Sequence, residues 1–73
     1  MVRLLVAQRE RANLTQRKLA ERVGRPPSFI AKIELGERNV SIVEFVVLTR
    51  AMGADPAAAF EELLAQLPQQ LIP

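Results

Sequence analysis

The chain has 73 residues, 49% hydrophobic and 25% charged, with a formal net charge of +2 and no cysteine. That is the material of one small globular domain with a modest core, lacking disulfides and thiolate metal sites, for which dimerisation is a common source of extra stability. No apolar run approaches the roughly 20 residues of a membrane span, and the apolar start from Met1 to Ala7 is cut short by Gln8-Arg9-Glu10-Arg11, which is too brief for a secretion signal; a cytoplasmic protein without a membrane partner is expected.

Read in chain order, every segment has the punctuation of a helix, and none alternates like a strand. A first helix is predicted from about Val2 to Ala12, with Asn13 at a left-handed C-terminal position. Thr15 caps a second helix, Gln16 to Val23, and Lys18 rather than Glu at its third position leaves the capping box incomplete. Gly24 supplies the positive φ that ends it. Pro27 opens a third helix that runs to about Leu35 and stops at Gly36. Ser41-Ile42-Val43-Glu44 is a full capping box for a fourth helix ending at Gly53. Asp55-Pro56 starts a fifth, reaching about Leu67 before Pro68. The expected organisation is all-α: a single five-helix domain over residues 1–67 and a short tail over 68–73.

Charge is unevenly spread. Residues 1–38 hold nine basic and four acidic side chains, a net of +5, whereas residues 39–73 hold one basic and four acidic, a net of −3. Such a division suits a first half that faces a polyanion, although a solvated surface would have the same composition. Catalysis has little to stand on. There is no His, no Cys, no glycine-rich phosphate loop and no nucleophile placed beside a base, so neither catalytic residues nor a metal site nor a cofactor is expected.

The informative stretch is Gln16 to Glu34. Small Ala20 lets two helices cross closely, Gly24 makes the turn between them, and Leu19, Val23, Ile30 and Ile33 fall on the inner side. The start of the third helix is then left projecting outward, with the dimensions to enter a DNA major groove. On the fourth helix, Ile42, Phe45, Leu48 and Met52 are expected to face the core. Val43, Val46 and Val47, with Arg50 a turn on, lie on another face. A helix apolar on so many sides must bury more than one of them. That face is expected to join two copies of the chain, unless the fifth helix folds over the valines within one.

These residues resemble the lambda-repressor/Cro-like helix-turn-helix domains, the xenobiotic-response-element family. The resemblance spans about residues 2–67. It rests on Leu14-Thr15-Gln16, Leu19-Ala20, Val23-Gly24, Ser28-Phe29-Ile30, Ile33-Glu34, Gly36-Glu37-Arg38-Asn39 and Ser41-Ile42. The run from Gly36 to Ser41 is also similar to the controller proteins of restriction–modification systems. The resemblance implies a phosphate contact from Gln16 and base-edge positions at Pro27, Ser28 and Lys32. It implies a place by the groove wall for Phe29, either half-buried or on a thymine methyl. Arg38, with Asn39 beside it, would meet backbone or bases, and Arg9 and Glu34 would form a buried ion pair. Arg17, Lys18 and Arg25 are candidate phosphate contacts, or else solvated side chains. Two positions depart from the family pattern. Pro26-Pro27 stands where Ser/Thr-Gln is usual, and proline cannot hydrogen-bond adenine as glutamine does. Leu35 replaces a common polar residue.

The expectation is thus a sequence-specific regulator of transcription, a repressor of bacterial or phage type. It would act as a homodimer on a palindrome-like stretch of double-stranded DNA, without a small-molecule ligand. The alternative is an antitoxin-like or accessory module that keeps the fold but binds a protein.

Overall fold

A computed structural model describes residues 1–67; the predicted tail, 68–73, lies outside the described residues. Five helices follow one another: α1 (Val2–Arg11), α2 (Gln16–Val23), α3 (Pro27–Glu34), α4 (Ile42–Ala51) and α5 (Pro56–Gln66). The described residues contain no strand, and none of their helices is long and apolar enough to cross a membrane.

The helix starts are set by short-range chemistry. Thr15 Oγ1 accepts the Lys18 N–H at 3.0 Å and Asp55 Oδ1 accepts the Ala57 N–H at 3.1 Å. At α4, Ser41 Oγ accepts the Glu44 N–H at 3.1 Å while Glu44 Oε1 accepts the Ser41 N–H at 3.0 Å, so two orphan donors of the first turn are satisfied reciprocally. The ends of the first four helices repeat one device. A left-handed residue lets the next N–H reach back five residues: Leu14 to the Arg9 carbonyl, Arg25 to Ala20, Glu37 to Lys32 and Ala54 to Thr49, at 2.9–3.1 Å. Asn13 is the one non-glycine residue among the described residues with positive φ, at 58°; its short amide tolerates that region better than most side chains. Four helices end one or two residues earlier than their sequence pattern suggests: α1 at Arg11, α3 at Glu34, α4 at Ala51 and α5 at Gln66. In α1, α3 and α4 the residue before the left-handed position already belongs to the closing turn.

The core draws on every helix: Leu4 and Leu5 from α1, Leu19 and Ala20 from α2, Ile30 and Ile33 from α3, Phe45 and Leu48 from α4, and Ala59 and Leu63 from α5. Ala20 is completely buried where α2 meets α3, and a larger side chain there would hold the helices apart. Val23 is half-buried against this core. Beside Ile30 and Ile33 the remaining space is about 10 Å³, near the lower limit for a water molecule. Thr49, fully buried, turns its hydroxyl back onto the carbonyls of Phe45 and Val46 at 2.9 and 3.0 Å. Phe45 meets Phe60 edge to face, with ring centroids 6.5 Å apart.

One expectation about α4 is corrected. Ile42 is 71% exposed and is not a core residue. It occupies the first position of the helix, before the axis has come over the core, and Phe45 is the first side chain to reach inside. Arg22 provides a further link: its Nη1 donates to the Ala51 carbonyl at 2.8 Å, placing a cation at the negative end of α4.

Candidate nucleic-acid interface

The site begins with how α3 is held. Gly24, at φ 68°, reverses the chain, and the Arg25 N–H closes onto Ala20 O at 3.0 Å. Pro26 (φ −65°) and Pro27 stiffen the turn, and Pro27 begins α3 where no N–H is needed. Ile30 and Ile33, each 2% exposed, fasten the inner side of α3. Ser28 and Lys32, one turn apart, are therefore held on the exposed side, and Pro27 is exposed beside them.

A polar network fixes the inner end of the same helix. Arg9 Nε and Nη2 donate to the two Glu34 oxygens at 2.7 and 3.1 Å, and Nη1 donates to the Leu14 carbonyl at 2.8 Å. Gln16 Nε2 adds a bond to Glu34 Oε1 at 2.8 Å. The Glu34 carboxylate raises the already high pKa of Arg9, first by hydrogen bonding and then by charge, against the opposing effect of burial. One carboxylate thus joins α1, α2 and α3. Gln16, expected at a phosphate, spends one amide hydrogen on Glu34 and keeps the other. The N–H groups of Gln16 and Arg17 precede the capped Lys18 N–H and have no partner within the helix. Arg17 is exposed, and Lys18 stands 3.8 Å from Glu21.

A second cluster was not legible in the sequence. The guanidinium carbons of Arg25 and Arg38 lie over the Phe29 ring, 5.1 and 4.6 Å from its centroid. Phe29 is half-buried and packs against the core. Arg38 is occupied further: Nη1 and Nη2 donate to Glu44 Oε1 and Oε2 at 3.0 and 2.8 Å, and Nη1 also reaches the Asn39 carbonyl at 3.0 Å. Glu44 therefore caps α4 and holds Arg38 at once. Arg38 and the Ser41 N–H keep the Glu44 carboxyl at a pKa of about 2 instead of 4.5. The folded-state pKa is depressed, so this stabilisation is complete above about pH 4.5 and is lost as pH falls toward about 2. Glu44→Gln should flatten the acid limb of the stability curve in that window. Parallel wild-type and Glu44→Gln melting curves between pH 5 and pH 2.5 would show that the pair contributes nothing.

The α4 valines do not share one face. Val43 and Val47, 71% and 46% exposed, border a shallow groove of about 170 Å³ with Val23, Arg25 and Phe29, next to the recognition side. Val46 is half-buried and borders a different groove of about 420 Å³ with Ile42, Phe45, Pro56 and Phe60. Arg50 is exposed. The three valines leave the axis only about 40–100° apart, but packing of α5 on one side of α4 assigns them to different surfaces.

A family model described as a helix-turn-helix domain matches residues 1–63. Among solved structures, the chain is similar to an XRE-family like protein from Pseudomonas syringae pv. tomato str. DC3000, with 42% identity over 92% of this chain and 82% of that one and a TM-score of 0.85. It is also similar to the clp gene regulator ClgR from C. glutamicum: 26% identity, 94% of this chain, 90% of that one, TM-score 0.79. A third similarity is to the restriction-modification controller protein C.AhdI from Aeromonas hydrophila: 32% identity, 81% of this chain, 86% of that one, TM-score 0.72. Among curated proteins, none matches the chain.

Proposed function

Since the chain belongs to the helix-turn-helix domain family, we propose that it is a sequence-specific DNA-binding regulator of transcription that represses by occupying a palindrome-like operator as a homodimer. The observation that carries this reading is α3 itself. Its inner side is locked by Ile30, Ile33 and Glu34, while Ser28 and Lys32 stand exposed together on the other side. In a major groove, Lys32 would donate to guanine O6 or N7, and the Ser28 hydroxyl would suit a base edge or a phosphate. Gln16, with its spare amide hydrogen and the free N–H groups of the α2 start, would hold a backbone phosphate, and Arg17 would add charge. Nothing in this scheme calls for a catalytic residue, a metal or a cofactor. Two structurally similar proteins are themselves named as a gene regulator and a restriction-modification controller, which supports a regulatory role.

The homodimer is supported by unspent apolar surface. Ile42, Phe60, Leu64 and Leu67 are each more than 40% exposed, on α4, α5 and the residue after α5, whereas Val43 and Val47 border the groove beside Arg25 and Phe29. Two copies joined there would present their α3 helices on one side, about one helical turn of DNA apart.

Footprinting on genomic fragments, with sedimentation of the complexes, tests both parts. The expected result is a two-fold symmetric protected site bound by two chains. On variants of that site, Lys32→Ala should relax the preference at one or two base pairs, whereas Gln16→Ala should weaken all variants alike and, since glutamine is uncharged, leave the salt dependence close to wild type. Equal effects of both substitutions would mean that the reading residues are misassigned. A monomer at high micromolar concentration would remove the homodimer. Absence of any preferred site at moderate salt would favour the protein-binding alternative, for which the apolar groove between α4 and α5 is the natural surface.

A further inference from the structure

We infer that Arg25, in the turn before α3, is a base-reading residue that recognises guanine, and that Phe29 is the positioning residue which aims it. This rests on the DNA-binding reading above and adds to it a specificity determinant where the prolines leave a gap. Pro26 and Pro27 occupy the tip of the reading helix, and neither has a hydrogen-bond donor. Arg25 is the nearest side chain on the N-terminal side that does.

Three observations separate Arg25 from an ordinary surface arginine. Its backbone is held twice, by the N–H bond to Ala20 O at 3.0 Å and by the restriction that a following proline places on φ and ψ. Its guanidinium is held over the Phe29 ring, 5.1 Å from the centroid. An arginine stacked on an aromatic face keeps its fork of N–H donors directed outward in the ring's surroundings, and less side-chain entropy is lost when it binds. Finally, its donors are unspent. Among the described residues the Arg25 guanidinium makes no hydrogen bond and no ion pair, in contrast to that of Arg38, which shares the same ring but gives its two terminal nitrogens to Glu44 and Asn39.

The two guanidiniums therefore divide the work. Arg38 clamps the α3–α4 loop and covers the Phe29 ring, bound to a carboxylate that competes with any phosphate. Arg25 remains a preorganised fork at the mouth of the reading helix, matched to the O6/N7 edge of guanine, which accepts two parallel hydrogen bonds in the major groove.

The test uses the full chain and a set of duplexes in which each base pair of the footprinted site is changed in turn. Arg25→Ala should lower affinity for the preferred site roughly ten- to hundredfold and abolish discrimination at one G·C pair per half-site. Arg25→Lys, which keeps the charge but not the fork, should lose the same discrimination while the salt dependence stays close to wild type. Phe29→Leu should cut that discrimination several-fold, and Phe29→Tyr, which retains the ring, should restore it; circular dichroism confirms that each variant is folded. The proposal is overturned if Arg25→Ala weakens every duplex equally and lowers the salt dependence, as loss of a phosphate contact does. It is also overturned if Phe29→Leu reads DNA like wild type while Arg25→Ala does not bear on any single base pair. Should the wild-type chain prefer no sequence at all, the DNA-binding reading fails first and this inference falls with it.

Discussion

Replacing Glu34 with alanine should lower the unfolding free energy by about 3 kcal/mol, the lower end of the range for breaking a buried ion pair by removing one partner. Glu34 accepts three hydrogen bonds, two from Arg9 and one from Gln16, and the paired side chains are only 14% and 11% exposed. Without it, Arg9 keeps the Leu14 carbonyl as its acceptor and has no compensating charge within the network. The lower end applies because the network sits at the rim of the core, where water can reach part of the guanidinium. A domain of this size has a total stability on the order of 4–11 kcal/mol, so the loss is a large share of it. The melting temperature should fall by roughly 10–20 °C. Thermal unfolding followed by circular dichroism measures this directly. A double-mutant cycle with Arg9→Ala gives the coupling between the partners. A loss under about 1 kcal/mol would show that solvent screens the pair and that α1 and α3 are joined by packing alone.

Ile30→Ala should cost about as much, roughly 3 kcal/mol, by a different mechanism. Ile30 is 2% exposed and shares its surroundings with Leu19, Ile33 and Leu48. Large-to-small changes at such sites cost about 2–5 kcal/mol, from lost transfer energy together with the cavity left behind. Little spare space exists there for neighbours to rearrange into. Urea titration should give a lower midpoint with an unchanged slope. Because Ser28 and Lys32 project from the opposite side of α3, the folded fraction should bind DNA within a few-fold of wild type. A variant that stays fully folded yet loses all DNA affinity would mean that Ile30 sets the helix orientation as well as its stability.

Both expectations concern the same design problem, which is how an eight-residue helix is kept rigid enough to read anything. An isolated helix of that length is unstable in water. α3 is held by apolar packing through Ile30 and Ile33, by a carboxylate network through Glu34, and by the Phe29 ring against the core. The acid-sensitive Arg38–Glu44 pair then fixes the loop that leaves it.

How much of this could be read in advance divides by range. The five helices, their order and most of their boundaries were legible because their signals are local. Thr15, Ser41 with Glu44, and Asp55 each cap within three residues of themselves, and Asn13, Gly24 and Gly36 close helices through a single positive φ. A backbone group near its own capping residue needs no tertiary partner, so sequence suffices. The inner positions of α2 and α3 were legible for a related reason, since a short turn between two helices leaves few ways to pack them. The family resemblance supplied the Arg9 and Glu34 positions, which are 25 residues apart and have no local signature.

Tertiary structure decided the rest. Helical periodicity specifies the angle at which a side chain leaves the axis, and it does not say which neighbour, if any, waits at that angle. Ile42 has the spacing of a core residue but leaves α4 before the core begins, and Val43 and Val46, adjacent in pattern, open onto different grooves once α5 is in place. The second role of Glu44, the bond from Gln16 to Glu34, and the two guanidiniums over Phe29 all depend on loops folding side chains together from separate elements. By itself the amino-acid sequence determined that this chain forms five helices with a tightly turned pair at positions 16–34, because those features are written in contacts between near neighbours. Only the packed structure decided which basic side chains are held by carboxylates and which keep their donors unspent, because that partition is made between residues that are distant along the chain and adjacent in space.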